Sequence, residues 1–359
     1  MTNLIYGITK NMLEFYAVKI FIITTLSFLI ALFWMPFLLK MLRKYKMGKK
    51  IRDEKSAPIF FKLHKKKQGI PTMGGILIWG TVLFISLLFF YLNKIFSGIG
   101  IFENLDFLTQ KQTLLPLGAL VASAIVGMFD DLFNIKKIGP NGGGLRMRHR
   151  LFIYAFIAIV GAWWFYFKLE WSTLHIPFYG SFDIGIWYIP IFIFVIVATS
   201  HSVNLTDGLD GLAGGILLSS FATYGAIAFM QGRFELAAFC GAIIGALLAF
   251  LWFNISPAKF FMGDTGAMSL GVTLGIVAML TNYALLLPII GLVFVMETCS
   301  VLTQWGYRKT TGKKLFISSP IHHHLEAKGW AEATIVMRFW VISGVSAVVG
   351  IILFFLDNA

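Results

Sequence analysis

The chain has 359 residues, of which 58% are hydrophobic and 13% are charged, whereas soluble domains carry about 25% charged residues. This composition excludes an ordinary soluble enzyme and predicts an all-α polytopic membrane protein, with a single membrane domain over residues 1–359. The formal net charge of +13 favours contact with anionic lipid headgroups or with a phosphorylated soluble substrate.

Ten apolar stretches have the length of about 17 to 25 residues that crosses a bilayer as an α-helix. In chain order they are Ile20–Leu42, Met73–Leu92, Leu114–Phe133, Leu151–Leu169, Ile184–Val203, Leu212–Phe229, Leu236–Phe253, Met268–Leu285, Leu286–Gln304 and Phe339–Leu356. The eighth and ninth stretches meet with almost no loop between them. We therefore expect ten transmembrane helices.

Basic residues are concentrated in the loops after the first and third stretches. They are Arg43, Lys44, Lys46, Lys49, Lys50, Arg52, Lys55, Lys62, Lys65, Lys66 and Lys67 in the first of these loops, and Lys136, Lys137, Arg146, Arg148 and Arg150 in the second. Loops that face the cytoplasm carry such an excess of Lys and Arg. The pattern predicts that both loops are cytoplasmic and that both chain termini lie on the outer side.

Carboxylates, amides and histidines follow the odd-numbered stretches, where this topology places the cytoplasmic edge. They are Asp130, Asp131, Asn204, Asp207, Asp210, Asn254, Asp264, His322, His323 and His324. Ionisable residues in or beside membrane helices indicate a functional site by default. We expect these residues to form one site at the cytoplasmic edge.

Asp207, Asp210 and Asp264 also have structural explanations. The stretch NLTDGLDG is typical of a turn before the sixth helix, although the spacing of Asp207 and Asp210 would put both carboxylates on one face if that turn were helical. Asp264 could cap the N-terminus of the eighth helix. For these three residues the sequence leaves both readings open.

Asp130 and Asp131 stand at the predicted inner end of the third helix, in the stretch VGMFDDLFN. Carboxylates at a helix C-terminus face the negative end of the helix dipole, which disfavours them by about 0.3 to 1 kcal/mol each. Their position therefore argues for a nearby cation. Three consecutive histidines splay too widely to bind one zinc ion together, so a phosphate-contacting or acid–base role, or a hydrogen-bonded structural cluster, suits them better.

Phosphoryl transfer at the inner headgroup level uses this combination of residue types. Carboxylates suit Mg²⁺, which binds through one or two of them together with substrate phosphates, while Lys and His neutralise the charge on the transferred group. A membrane transporter is an alternative, but its ionisable residues are expected near the bilayer midplane. Their predicted position at the edge favours the enzyme.

Several stretches follow each other in the order of a known family. They are GIPTMGGI (69–76), VNLTDGLDGLA (203–213), FLWFN (250–254), FFMGDTG (260–266), FVMETCSVLTQ (294–304) and PIHHHLEAKGW (320–330). The chain resembles the polyprenyl-phosphate N-acetylhexosamine-1-phosphate transferases, and within them the phospho-N-acetylmuramoyl-pentapeptide transferase branch. The histidine stretch carries the likeness to that branch, because the aspartate stretches are shared with the sister transferases that use UDP-N-acetylglucosamine, which remain the alternative.

The resemblance implies a Mg²⁺-dependent enzyme of the bacterial inner membrane. Such an enzyme transfers phospho-N-acetylmuramoyl-pentapeptide from UDP-N-acetylmuramoyl-pentapeptide to undecaprenyl phosphate, giving lipid I and UMP in peptidoglycan synthesis. Its partners are the two substrates and membrane lipids, without nucleic acid. The oligomeric state is open, with a homodimer as one alternative.

The resemblance also implies roles for single residues. Asp130 would be the base for the lipid phosphate, Asp131 a neighbouring acid, Asp264 the Mg²⁺ ligand and His322 a further catalytic group. Substrate contacts would come from Lys67, Thr72, Asn204, Asp207, Asp210, Asn254, Phe261, Gln304, His323 and His324, with Phe261 stacked on uracil. Where the family reads DDxxK, this chain has Asn134 in place of the lysine, and Lys136 or Lys137 would be its replacement.

Overall fold

The computed structural model describes residues 2–48, 65–109, 112–139 and 143–359. The helices within these ranges are α1 (Thr2–Lys44), α2 (Gly75–Ile95), α3 (Gly100–Leu105), α4 (Leu114–Lys136), α5 (Met147–Trp163), α6 (Tyr188–Thr206), α7 (Leu212–Met230), α8 (Phe234–Asn254), α9 (Asp264–Leu280), α10 (Leu287–Ile290), α11 (Leu292–Thr311), α12 (Ile321–Ala327) and α13 (Glu332–Asp357). Strands β1 (Thr173–Ile176) and β2 (Gly180–Asp183) form an antiparallel hairpin between α5 and α6. Five of the predicted loop cations, Lys49, Lys50, Arg52, Lys55 and Lys62, lie outside the described residues.

Eight of the described helices are long and apolar enough to cross a membrane. A ninth span results if the pair formed by residues 284–290 and α11, which is bent by 81°, is one broken span. The break lies at Gly291, and glycine is one of the usual causes of a sharp helix kink. The all-α polytopic class is thus confirmed, while the count of ten and the orientation of the termini stay predictions.

Helix α9 is central to the bundle, because every residue from Thr265 to Leu280 is buried. It contacts α2, α4 and α6 at crossings where glycine brings the backbones together. A Cβ added at Gly75 of α2 would lie 2.2 Å from the Gly266 Cα, and one added at Gly127 of α4 would lie 2.4 Å from the Asp264 carbonyl oxygen. Close packing through small residues is typical of membrane helices, and here it fixes the N-terminus of α9.

Helix α4 continues beyond the predicted end of the third span. Asp130 and Asp131 lie inside the helix, which ends at Lys136 and is followed by Lys137 in a left-handed conformation with φ +58°. The prediction that the two carboxylates end the span was therefore wrong by about a turn and a half. Because the helix-dipole effect falls off within the last turn, their electrostatic partners must come from elsewhere in the bundle.

Candidate active site

Asp131 caps the N-terminus of the central helix α9. The preceding residue, Gly263, has φ +74° and no side chain that could cap the helix. Instead, the Asp131 carboxylate accepts hydrogen bonds from the backbone N–H groups of Asp264 and Thr265, both at 3.1 Å. A negative charge is favoured at a helix N-terminus, where the N–H groups lack partners within the helix. Asp131 therefore fixes the position of Asp264.

Arg150 joins Asp130 to Asp264. Its Nε lies 2.5 Å from Asp130 Oδ2 and its Nη2 lies 3.0 Å from Asp264 Oδ2. The second oxygen of each carboxylate is also occupied: Asp130 Oδ1 accepts from Leu145 N at 2.6 Å, and Asp264 Oδ1 accepts from Asn204 Nδ2 at 2.6 Å. One guanidinium thus holds two carboxylates of different helices side by side.

A second ionic group lies around Lys67. Its Nζ is 2.6 Å from Asp210 Oδ1 and 2.5 Å from Glu332 Oε1. Asp210 Oδ2 also accepts from Ala258 N at 3.1 Å. Residues 207–211 form a turn between α6 and α7, so the helical first turn that would have put Asp207 and Asp210 on one face is not formed.

Asn254 is the last residue of α8, and Phe261 lies in the segment that links α8 to α9. Asn254 accepts a hydrogen bond from Gly211 N at 2.9 Å and donates one to Phe260 O at 2.8 Å, which ties this segment to the turn after α6. Phe261 pairs by its backbone with Pro71 and with Gly74, both at 2.8 Å. The residue is partly exposed, and its stacking on a base stays a prediction.

Thr72 reaches the cap of α9. A Cβ added at Gly263 would lie 2.5 Å from Asp131 Oδ2 and 2.8 Å from Thr72 Oγ1. Only glycine therefore fits at this position, because both polar atoms crowd the space that a side chain would need. Thr72 and Asp131 thus both border Gly263, whereas the family resemblance assigns Thr72 only to the substrate.

His322 is fully buried and faces the turn after α6. Its Nδ1 lies 3.0 Å from Oε2 of Glu297, which is also fully buried. Its Nε2 has no hydrogen-bond partner among the described residues and lies where a Cβ at Gly208 would be 2.2 Å away. The imidazole therefore packs against Gly208, with its Nδ1 at ion-pair distance from Glu297 and with neither ring nitrogen in a hydrogen bond to the described residues.

His323, His324 and Gln304 make contacts within their own part of the chain. His323 Nδ1 lies 2.7 Å from Glu326 Oε2. His324 Nδ1 accepts from Ile317 N at 3.2 Å, and Gln304 Oε1 accepts from the backbone N–H groups of residues 315 and 316 at 3.0 and 2.9 Å. Burial and the nearby Lys328 lower the pKa of His324, which agrees with a neutral ring whose Nδ1 is an acceptor.

The chain has close relatives with a common name. Residues 113–282 match the model of glycosyl transferase family 4, and residues 67–78 match the first signature of the phospho-N-acetylmuramoyl-pentapeptide-transferases. The phospho-N-acetylmuramoyl-pentapeptide-transferase of a Geobacillus species is 41% identical, covering 91% of this chain and 95% of its own length. The proteins of the same name from Chloroflexus aggregans and Thermodesulfovibrio yellowstonii are 39% and 36% identical, covering 86% and 95% of this chain and 82% and 94% of their own lengths.

The chain belongs to the phospho-N-acetylmuramoyl-pentapeptide-transferase family. The matched signature contains Lys67 and Thr72, and the glycosyl transferase match extends over Asp130, Arg150 and Asp264. These candidate residues therefore lie in segments that match the family models.

Three charged residues of this candidate site were missing from the residues selected by sequence. Arg150 had been counted only as a loop cation, yet it lies in the first turn of α5, where the helix dipole disfavours a cation. Glu297 is a carboxylate inside an apolar helix, which is a signal of function. Glu332 gave no signal, because an acid in the first turn of a helix is ordinary.

The candidates for the missing family lysine were Lys136 and Lys137, and both are exposed. Arg150 is the cation that contacts Asp130 among the described residues. Asn134 instead packs against the glycine segment before α5, since a Cβ added at Gly144 would lie 2.5 Å from Asn134 Oδ1. Arg150 therefore supplies the positive charge beside the two carboxylates.

The described residues contain no group of three or more His, Cys, Asp or Glu that is arranged to hold a metal ion. Mg²⁺ does not require one, because it usually binds through one or two carboxylates, with water and substrate phosphate as its other ligands. Asp130 and Asp264, which share one guanidinium, provide that donor set. The residues present are thus compatible with Mg²⁺.

Proposed function

We propose that this chain transfers phospho-N-acetylmuramoyl-pentapeptide from its UDP-linked precursor to undecaprenyl phosphate, as a multi-pass enzyme of the bacterial inner membrane. The products would be lipid I, for peptidoglycan synthesis, and UMP. Membership of the family supports the identity of the transferred group. The observation that supports phosphoryl transfer is that Arg150 contacts both Asp130 and Asp264 at one end of a bundle of membrane helices.

Asp130 would take the proton from the lipid phosphate. Its Oδ2 contacts Arg150, so this oxygen cannot accept a proton until the guanidinium moves. A phosphate offers the guanidinium two acceptor oxygens and is a strong partner for it. We propose that the incoming lipid phosphate draws Arg150 away from Asp130, so that the freed oxygen accepts the phosphate proton.

The deprotonated lipid phosphate oxygen would then attack the sugar-linked phosphorus of the UDP donor, and the bond to UMP would break. Arg150 stays beside the reacting phosphates and offsets their negative charge. Asp131 holds the N-terminus of α9 and so keeps Asp264 in place. When bound, Mg²⁺ would be held by Asp264 with Asp130 adjacent, and it would neutralise charge on the phosphate oxygens.

The donor nucleotide would lie over the turn after α6. Lys67 would offer its ammonium to the diphosphate, Asp207, Asp210 and Asn254 would line the ribose and base side, and the Phe261 ring would stack on uracil. His322 adds a free ring nitrogen beside Gly208. His323, His324 and Gln304 would face the muramoyl-pentapeptide part of the donor.

Incubation of the purified protein with undecaprenyl phosphate, Mg²⁺ and one UDP-sugar at a time tests this function. Mass spectrometry of the extracted lipid is expected to find the muramoyl-pentapeptide product from UDP-N-acetylmuramoyl-pentapeptide. Exclusive formation of a lipid-linked N-acetylglucosamine phosphate would instead establish the sister reaction, which the names of the relatives do not favour. The mass of the detergent-extracted protein tests the homodimer alternative.

A further inference from the structure

Glu332 lies in the first turn of α13, the last helix of the chain. Its Oε1 is 2.5 Å from Lys67 Nζ and accepts a hydrogen bond from Asp210 N at 2.8 Å. A single carboxylate oxygen therefore contacts both Lys67, the last cation of the first predicted loop, and the backbone of the turn after α6. These two segments are far apart in the sequence and also contact each other directly, through Lys67 and Asp210.

The contacts to Glu332 restrict the direction of the lysine ammonium group. Lysine has three N–H donors on a flexible stem and loses about 2 kcal/mol of rotamer entropy when it is held in one place. Two donors of Lys67 are directed to Asp210 and Glu332. The third donor is then the one available to a phosphate oxygen, and its direction follows from the other two.

The same helix also contacts the turn at the following residue, Gly211. Trp340 Nε1 donates to Gly211 O at 3.1 Å, while Glu332 accepts from the N–H group of Asp210. Gly211 has φ +82°, a left-handed conformation that glycine adopts without strain. Helix α13 thus holds the turn from both sides of the Asp210–Gly211 peptide.

We propose that Glu332 is a positioning residue for the UDP-linked donor. It acts through Lys67 and through the Asp210 backbone, and it does not touch the reacting atoms. Because it orients groups that bind the donor, its loss weakens donor binding more than it slows the chemical step. This inference rests on the proposed function of the site.

Steady-state kinetics of Glu332→Gln test the proposal. The amide can still accept from Asp210 N but no longer offers a negative charge to Lys67. A hydrogen bond to a charged group contributes about 1.5 to 3 kcal/mol, so we expect KM for the UDP-linked donor to rise about tenfold or more, with kcat nearly unchanged. The matched control is Glu235→Gln, which also removes an acid from the first turn of a membrane helix and should leave KM unchanged.

A double-mutant cycle with Lys67→Ala tests whether Glu332 acts through Lys67. Independent substitutions have effects that multiply, whereas here Glu332→Gln should add little to the rise in KM that Lys67→Ala already causes. The proposal is overturned if the full effect of Glu332→Gln persists without Lys67, or if KM stays at the wild-type value. If Glu332→Gln does not fold, Glu332→Asp replaces it in the test, because this variant retains the charge on a shorter side chain. Glu332→Asp should raise KM for the donor by a smaller factor. A fall in kcat without a change in KM would contradict the proposal.

Wild-type turnover with the same donor is measured first. Lack of wild-type turnover with UDP-N-acetylmuramoyl-pentapeptide would refute the proposed function. An active wild type beside a Glu332→Gln variant with unchanged KM would refute only the role of Glu332.

Discussion

The substitution Asp131→Asn separates the structural role of this carboxylate from a chemical one. Asp131 accepts the first two N–H groups of α9, at Asp264 and Thr265, and it is buried. An asparagine of the same shape has one acceptor oxygen, so one of the two N–H groups would face the NH₂ group of the amide. We therefore expect Asp131→Asn to loosen the N-terminus of the helix that carries Asp264.

The expected size follows from these contacts. Loss of one charge-assisted hydrogen bond costs about 1.5 to 3 kcal/mol, and loss of the negative charge at a helix N-terminus costs roughly 0.3 to 2 kcal/mol more. The free energy of unfolding should therefore fall by about 2 to 5 kcal/mol. Turnover should fall as well, because Asp264 is no longer held in place.

Thermal unfolding in detergent and turnover are measured together for Asp131→Asn and for its neighbour Asp130→Asn. Asp130 contacts Arg150 and Leu145 N and caps no helix. Its substitution should leave the unfolding midpoint closer to wild type while turnover falls by about 10² to 10⁴, the usual value of a general base. An Asp131→Asn protein that unfolds like wild type yet has lost its activity would refute the capping argument and indicate a chemical role.

Three further substitutions test the remaining parts of the site. Asp264→Asn should lower turnover severely and shift the Mg²⁺ titration to higher concentration, because an amide carries no charge for a hard cation; an unchanged titration would remove Asp264 from the metal site. Arg150→Lys should retain more activity than Arg150→Ala but raise KM for the lipid phosphate, since lysine cannot bridge two groups bidentately; equal KM values would contradict the bridging role. Gly208→Ala should displace His322 at a cost of about 1 to 3 kcal/mol and reduce turnover, whereas Gly306→Ala, where a Cβ meets nothing within 4 Å, should match wild type in both unfolding midpoint and rate.

The convergence of Asp130, Asn204 and Asp264 was predictable, because the parity of the spans puts the ends of odd-numbered helices on one side of the membrane. The structure brings these residues within one hydrogen-bonded group. The environment of each carboxylate was not predictable. Asp131 caps α9, which begins more than a hundred residues later in the chain. The local stretch VGMFDDLFN contains nothing that predicts this long-range contact.

The helix breaks were also hidden from hydropathy. The predicted eighth and ninth spans divide at residues 285 and 286, whereas α9 ends at Leu280 and a sharp bend follows at Gly291. Hydropathy averages over a window of residues and so does not record where one apolar segment changes direction. The role of Arg150 was ambiguous in the sequence for a similar reason. An arginine near the end of a membrane helix is typical both of a cytoplasmic loop and of a site that binds carboxylates.

The burial of α9 has a consequence for how the enzyme responds to its lipid environment. Bilayers of different thickness act on a protein by tilting or stretching the helices that they touch. The segment from Thr265 to Leu280 is enclosed by protein. A change in bilayer thickness can therefore affect it only through a movement of the surrounding helices. Asp264, at the N-terminus of this helix, is therefore held by a segment that does not contact the acyl chains, so a change in bilayer thickness should displace its carboxylate less than side chains on the outer helices.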